Sequence, residues 1–304
     1  MRAFHRPTSP TVMLDGLDVE HATGDITRPE TLRAAMQGVE RVFHTAAQLG
    51  SPVVPAQMYA VTVVGTRNVL EAARQAGVRR VVHTSTVAAL GVPDRPLRGS
   101  IPLPMDEHHT WNYRPEWWRY GHSKYLAELE VQRAVALGMD VVIVNPAAVL
   151  GAGDLNRVSG DVVVYIAGHG VPAVVEGGVN VVHIADVVAG HLAALERGRT
   201  GERYILGGEN MYVPELLNLI AEVTEARQSH LQIPTWLALA LVGPVATLNR
   251  WGKLPVGGEL LRQAGRYFYY DTRKAREELG LPAPRAVREA IKEAHQWYKE
   301  QNMI

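Results

Sequence analysis

Tyr120 and Lys124 stand four residues apart in "WRYGHSKYLAE", residues 118–128. On a helix that spacing puts two side chains on one face, with Cβ atoms about 5–6 Å apart. A phenol keeps its proton until about pH 10, and a neighbouring ammonium favours the phenolate. The pair is therefore a candidate acid/base at neutral pH. It is equally an ordinary surface pair on an amphipathic helix, and a lone Tyr-x-x-x-Lys does not separate the two. Upstream, "HTSTVAALG" (83–91) places two more hydroxyls, Ser85 and Thr86, at the end of an apolar, β-branched run.

Strands and helices must bring such side chains together. Short β-branched runs alternate with longer helical ones: "MRAF" (1–4), "VERVFHTA" (39–46), "VRRVVHTST" (78–86), "MDVVIVNP" (139–146), "VNVVHI" (179–184) and "ERYILGG" (202–208). They are apolar throughout, as strands covered on both faces are. Between them "TRPE" (27–30) reads as a capping box with Thr27 as N-cap, and Gly38, Gly77 and Gly138 each close a helix. This order predicts an α/β fold of βαβ units in a parallel, doubly wound sheet. Ligands of such sheets bind at the carboxyl ends of the strands, where "HTAAQ" (44–48), "HTSTVAALG" and "NPAAVLG" (145–151) fall. Residues 1–150 with 179–208 read as a dinucleotide-binding domain. Residues 151–178 with 209–304 read as a smaller, discontinuous, helix-rich substrate lobe.

The chain has 304 residues, 47% hydrophobic and 20% charged, enough for one large domain or two coupled ones. Lysine plus arginine equals aspartate plus glutamate at 31 each, so nothing calls for nucleic acid or an anionic membrane as partner. The lack of cysteine excludes disulfides, thiolate nucleophiles and cysteine metal sites. The histidines form no His-Glu-x-x-His arrangement, and no metal is expected. "MRAFHRPTSP" lacks the apolar core of a signal peptide. The most apolar run, "IPTWLALALVGPVATL" (233–248), is too short to span a bilayer and reads as a buried helix pair. A cytoplasmic location is expected.

In their order and spacing, these segments resemble the extended short-chain dehydrogenase/reductase superfamily, nearest its dihydroflavonol-reductase-like and NAD-dependent epimerase/dehydratase branches. The likeness runs through "GDIT" (24–27), "VFHTAA" (42–47), "GTRNVLEAA" (65–73), "TSTVAALG" (84–91), "YGHSK" (120–124), "NPAAVLG" (145–151), "HIADVVAGHLAAL" (183–195) and "ERYILGGEN" (202–210). It implies hydride transfer between a nicotinamide and a carbonyl or secondary alcohol. By the resemblance Tyr120 is the acid/base, and Lys124 lowers its pKa while hydrogen-bonding the nicotinamide ribose. Thr86, with Ser85 as the near alternative, holds the substrate oxygen. Asp25 and Ile26 become adenine contacts, Thr45, Ala46 and Ala47 line the pyrophosphate and ribose path, and Pro146 packs on the nicotinamide. Arg6 stands where NAD enzymes place an acidic residue; a guanidinium suits a 2′-phosphate, so NADP is expected over NAD. The implied partners are a small-molecule substrate, approached past the aromatic "WNYRPEWW" (111–118) unless that is a packed cluster, and a second copy. The homodimer would use a four-helix face built from residues 58–73 and the Tyr120 helix.

Two departures accompany the likeness. Relatives carry Asn where this chain has Thr62. The superfamily also opens with a strand and a Gly-rich turn whose amides cradle the pyrophosphate; the first residues here match the second strand instead. The expectation is a chain shortened at its start, whose natural form carries about 20–30 more residues: a strand, a Gly-x-x-Gly-x-x-Gly turn and most of a helix. Two other functions share these features. A nucleotide-sugar 4-epimerase uses the same Thr, Tyr and Lys, and a non-catalytic remnant could survive as a binding protein. A 4,6-dehydratase would want an Asp-Glu pair where Val87 and Ala88 follow Thr86.

Overall fold

The computed structural model describes residues 1–48, 54–96, 100, 102–248 and 261–304. Two short parallel strands come first, β1 (Arg2–His5) and β2 (Glu20–Thr23), with Arg2 opposite Glu20 and His5 opposite Thr23. Helix α1 (Pro29–Met36), β3 (Arg41–His44), α2 (Pro55–Tyr59), α3 (Gly65–Gln75), β4 (Arg80–Thr84), α4 (Arg119–Ala136), β5 (Val141–Pro146) and β6 (Ala148–Leu150) follow. Then come α5 (Asp161–His169), β7 (Val174–Val175), β8 (Gly178–His183), α6 (Ile184–Arg197), β9 (Arg203–Leu206), β10 (Glu209–Tyr212) and α7 (Val213–Val223). β3, β4, β5 and β9 form one parallel sheet in that order. β5, buried along its whole length, is the kind of strand that reads as an unbroken apolar run.

Helices cover both faces of this sheet. On one, α1, α3 and α4 press Leu32, Val69, Leu70 and Val131 against Val81 and Ile143. On the other, α6 lays Val187, Ala193 and Ala194 on Val82, Val142 and Val144. Each fully buried Val, Leu or Ile contributes about 1.5–3 kcal/mol. A Cβ on Gly190 would stand 2.6 Å from Leu206, so glycine sets how closely α6 lies on β9. The helix ends follow the glycine spacing. Gly38, Gly77 and Gly138 take φ of +70°, +72° and +89°, which costs other residues about 1–2 kcal/mol.

Three expectations from the sequence are corrected. β8 does not join the main sheet; it pairs with β6, β10 and a strand at Tyr267–Phe268. β9 already occupies the free edge of β5, and β6 carries the chain past Pro146 to a new partner. Thr27 does not cap α1: its N–H and hydroxyl donate to Asp25 Oδ1 at 2.8 and 2.7 Å, an Asx turn that leaves Arg28 at the cap position. Residues 233–248 give two short helices, Thr235–Ala240 and Val242–Leu248, but not a buried pair, since Trp236 is 69% and Leu248 56% exposed. Among the described residues no helix is long and apolar enough to cross a membrane.

β1 pairs only with β2, and β3 only with β4, among the described residues. A slot of about 850 Å³ lies between their free edges, lined by Met1, Phe4, Val42, Phe43, Thr45 and Ala46 among others. Beside it Phe43 is 41% exposed, with its ring 6.3 Å from His191, while Val188 and Leu192 on the same helix as His191 are each 52% exposed. In a doubly wound sheet this is the place of the first strand.

Candidate active site

β4 ends in Thr84, and the chain turns through Ser85 and Thr86 into a 3-10 turn, Val87–Leu90. Thr86 caps that turn, its Oγ1 accepting from the Ala88 N–H at 3.3 Å. α4 crosses directly over it. A Cβ on Gly121 would stand 2.8 Å from the Ala88 carbonyl oxygen and 2.8 Å from the Trp111 ring. Only glycine permits that approach, which brings the half-buried Tyr120 beside Thr86, whose hydroxyl acts on the phenol. Burial pushes the Tyr120 phenol up to about 12, with the Thr86 hydrogen bond opposing.

Lys124 lies one turn further along α4, 2% exposed, its Nζ donating to the Thr84 carbonyl at 2.7 Å. Burial pulls its ammonium down to about 8, against the opposing charge of Glu128. The tyrosine is therefore raised on balance and not lowered, because desolvation is the largest effect on both groups. Two buried histidines stand opposite each other in the β3–β4 register, His44 and His83, with ring centroids 5.2 Å apart. Burial first, and the Lys124 charge second, pull His44 down to about 3 and His83 well below its usual value.

The two strand-end hydroxyls part company. Thr86 meets Tyr120, while Ser85, 5% exposed, donates inward to Glu128 Oε1 at 2.5 Å. Asn145 Nδ2 donates to the same oxygen at 2.7 Å, and Arg203 Nε lies 2.8 Å from the other as an ion pair. Sequence reasoning missed Glu128 and Arg203. The available signal was the four-residue repeat Tyr120, Lys124, Glu128, which marks one stripe of a helix.

Apart from Tyr120 and Lys124 on α4, the residues expected to meet a dinucleotide lie at carboxyl ends of strands. Arg6, just past β1, is exposed, and its charge helps hold the Asp25 carboxyl below the usual range, after the larger effect of the Thr27 hydrogen bonds. Ile26 is 8% exposed and faces the core, with Gly65 so close that a Cβ there would stand 2.6 Å from its Cδ1. Thr45 and Ala46 are exposed on the rim of the slot, and Ala47 is half-buried. The Pro146 carbonyl lies 3.5 Å from Thr86 Oγ1. Thr62 is buried in a π-helical turn, Ala60–Val64, between α2 and α3. "WNYRPEWW" packs as a partly buried cluster, Trp111 stacked on Tyr125 at 6.2 Å and Trp118 edge-on to Phe268 at 5.8 Å.

A nicotinamide riboside fits this arrangement. Lys124 is a buried ammonium with three donors and, among the described residues, one acceptor, so it can take a ribose hydroxyl. The pyrophosphate end is less furnished, because the slot stands between β1 and β3 where backbone amides would form its cradle.

The sequence signature of the NAD dependent epimerase/dehydratase family matches residues 3–207. A protein of Methylococcus capsulatus named sterol demethylase protein B is 35% identical over all of this chain and 92% of its own. A Synechocystis protein named as a dihydroflavonol 4-reductase is 33% identical, over all of this chain and 89% of its own. Among solved structures, a nucleoside-diphosphate-sugar epimerase from Pseudomonas aeruginosa superposes with a TM-score of 0.79 at 28% identity, over the whole chain and 90% of that structure. With a strand-end hydroxyl, a tyrosine and a buried lysine assembled on a parallel sheet, the chain belongs to the NAD dependent epimerase/dehydratase family, and it is an enzyme of the oxidoreductase and epimerase kind.

Proposed function

We propose that the protein reduces a carbonyl to a secondary alcohol, reversibly, with Thr86, Tyr120 and Lys124 as its catalytic residues. The contact between Tyr120 and Thr86, one turn from buried Lys124, carries this reading. The bound nicotinamide supplies or accepts the hydride. Thr86 and Tyr120 hold the substrate oxygen between their hydroxyls. Tyr120, protonated at neutral pH and with its phenol pushed up to about 12 by burial, donates a proton to that oxygen as negative charge develops there. Lys124, cationic below about pH 8, stabilises the phenolate left behind. Two relatives named as reductases, the Synechocystis protein and a ketoreductase of Stigmatella aurantiaca, support reduction over epimerisation.

Arg6 favours NADP over NAD through the 2′-phosphate, and Asp25, Ile26, Thr45, Ala46, Ala47 and Pro146 line the rest of the cofactor path. The protein works in the cytoplasm as a homodimer, in which a second copy covers Val64 and Leu129, 42% and 44% exposed on the α3–α4 face. The test is NADPH oxidation with a panel of aryl ketones and aldehydes. Tyr120→Phe and Thr86→Val are each expected to lose about 10²–10⁴-fold in kcat, with Tm unchanged in Tyr120→Phe and lowered in Thr86→Val by the lost cap. An active Tyr120→Phe enzyme ends the reading.

A further inference from the structure

Side chains from four elements meet behind the reacting end of the site. Glu128 of α4 is wholly buried, and on its Oε1 converge the Ser85 hydroxyl at 2.5 Å and the Asn145 amide at 2.7 Å. Arg203 of β9 brings Nε to 2.8 Å from Oε2, and its Nη1 donates to the His109 carbonyl at 3.1 Å. Asn145 relays the hold, since its Nδ2 also donates to the Thr86 carbonyl at 2.9 Å. A carboxylate without water is costly unless donors and a cation surround it, and here they do. Glu128 also continues the helical stripe of Tyr120 and Lys124, so its charge reaches the ammonium through a dry interior.

We propose that Glu128 is a positioning residue for the Thr86–Tyr120–Lys124 group. It fixes the Ser85–Thr86 strand end through Ser85 and Asn145, and it supplies the negative charge that Lys124 faces. The surroundings of Lys124 leave that charge without a rival. His44 from β3, His83 from β4 and Tyr120 from α4 are neutral at pH 7, Arg203 is paired to Glu128, and Glu128 is what opposes the burial of the ammonium. The proposal rests on the catalytic reading of Thr86, Tyr120 and Lys124.

The test reads Lys124 directly, without turnover. The chain has five lysines, so the side-chain signal of Lys124 is assigned by comparison with Lys124→Met and titrated by NMR in the full chain. In Glu128→Gln its midpoint is expected to fall by about one pH unit or more, a tenfold change in the acid constant. In Glu128→Asp, which keeps the charge, it stays close to wild type. An unchanged midpoint in folded Glu128→Gln overturns the proposal. If the unpaired guanidinium keeps that variant from folding, Glu128→Gln combined with Arg203→Met removes both buried charges; a fall smaller than in the single variant is then expected, since a positive charge leaves with the negative one, and a midpoint that does not fall is fatal. Turnover is scored apart. A shifted midpoint in a chain that reduces no ketone overturns the catalytic reading alone; an unchanged midpoint in an active enzyme overturns the positioning role alone.

Discussion

His44 and His83 are neutral in the folded chain because burial disfavours their charged forms, whereas in the unfolded chain each returns to its ordinary value of 6.5. As pH falls through 6.5 the unfolded chain binds protons that the folded one refuses, so stability falls, and for His44 the loss levels off only near about pH 3. Lys124 acts with the same sign at the other end: between about 8 and 10.5 the unfolded chain alone holds the proton, and stability rises with pH. Denaturant titrations at stepped pH are expected to show a decline from pH 7 to 4 that is shallower in His44→Gln. A decline of equal slope in that variant would remove His44 from the account. The spacing of Tyr120 and Lys124 was readable because both lie on one helix, and Thr86 because it ends a strand. Glu128 was not, because its partners Ser85, just past β4, Asn145 of β5 and Arg203 of β9 are brought together only by the fold.

Gly121 shows how one missing side chain sets the distance between elements. Alanine there would put its Cβ 2.8 Å from a backbone oxygen of the turn that Thr86 caps. Gly121→Ala is expected to cost about 1–3 kcal/mol in stability and to lower kcat more than it changes KM, as α4 is pushed off Thr86. Gly168 in α5 provides the contrast: a Cβ there meets nothing within 4 Å, and Gly168→Ala is expected to leave kcat alone and add about 0.4–1 kcal/mol. Equal effects of the two on kcat would break the link between Gly121 and the site. Strands buried on both faces, such as β4 and β5, were legible as apolar runs. β2 and β10, "EHAT" and "ENMY", were not, since neither is an apolar run, and β10 falls in the lobe read as helix-rich. The two-residue strands are shorter than any periodicity can mark, and β8 gave no sign of which sheet it would join.

For the whole molecule, the slot between β1 and β3 is the feature with the widest reach. Its walls present free strand edges and the exposed Phe43 of β3. Met1 lines it, and a variant with a strand, a Gly-rich turn and a helix joined ahead of Met1 tests whether the slot takes a strand. Each buried amide or carbonyl gaining a partner contributes about 1–3 kcal/mol, a large share of the about 5–15 kcal/mol that holds a domain together. Such an extension is expected to raise Tm by several degrees and to tighten NADPH binding, read by calorimetry and fluorescence titration beside the chain as it stands. Equal melting and equal binding in the two would show that the slot takes no strand. The same edges have a second consequence, in the company the molecule keeps. Backbone groups without a strand partner among the described residues can take one from another copy, and neither "RAFH" nor "RVFH" contains a proline to discourage that pairing. Crowding therefore favours an edge-to-edge pairing beyond the homodimer, and dilution works against it.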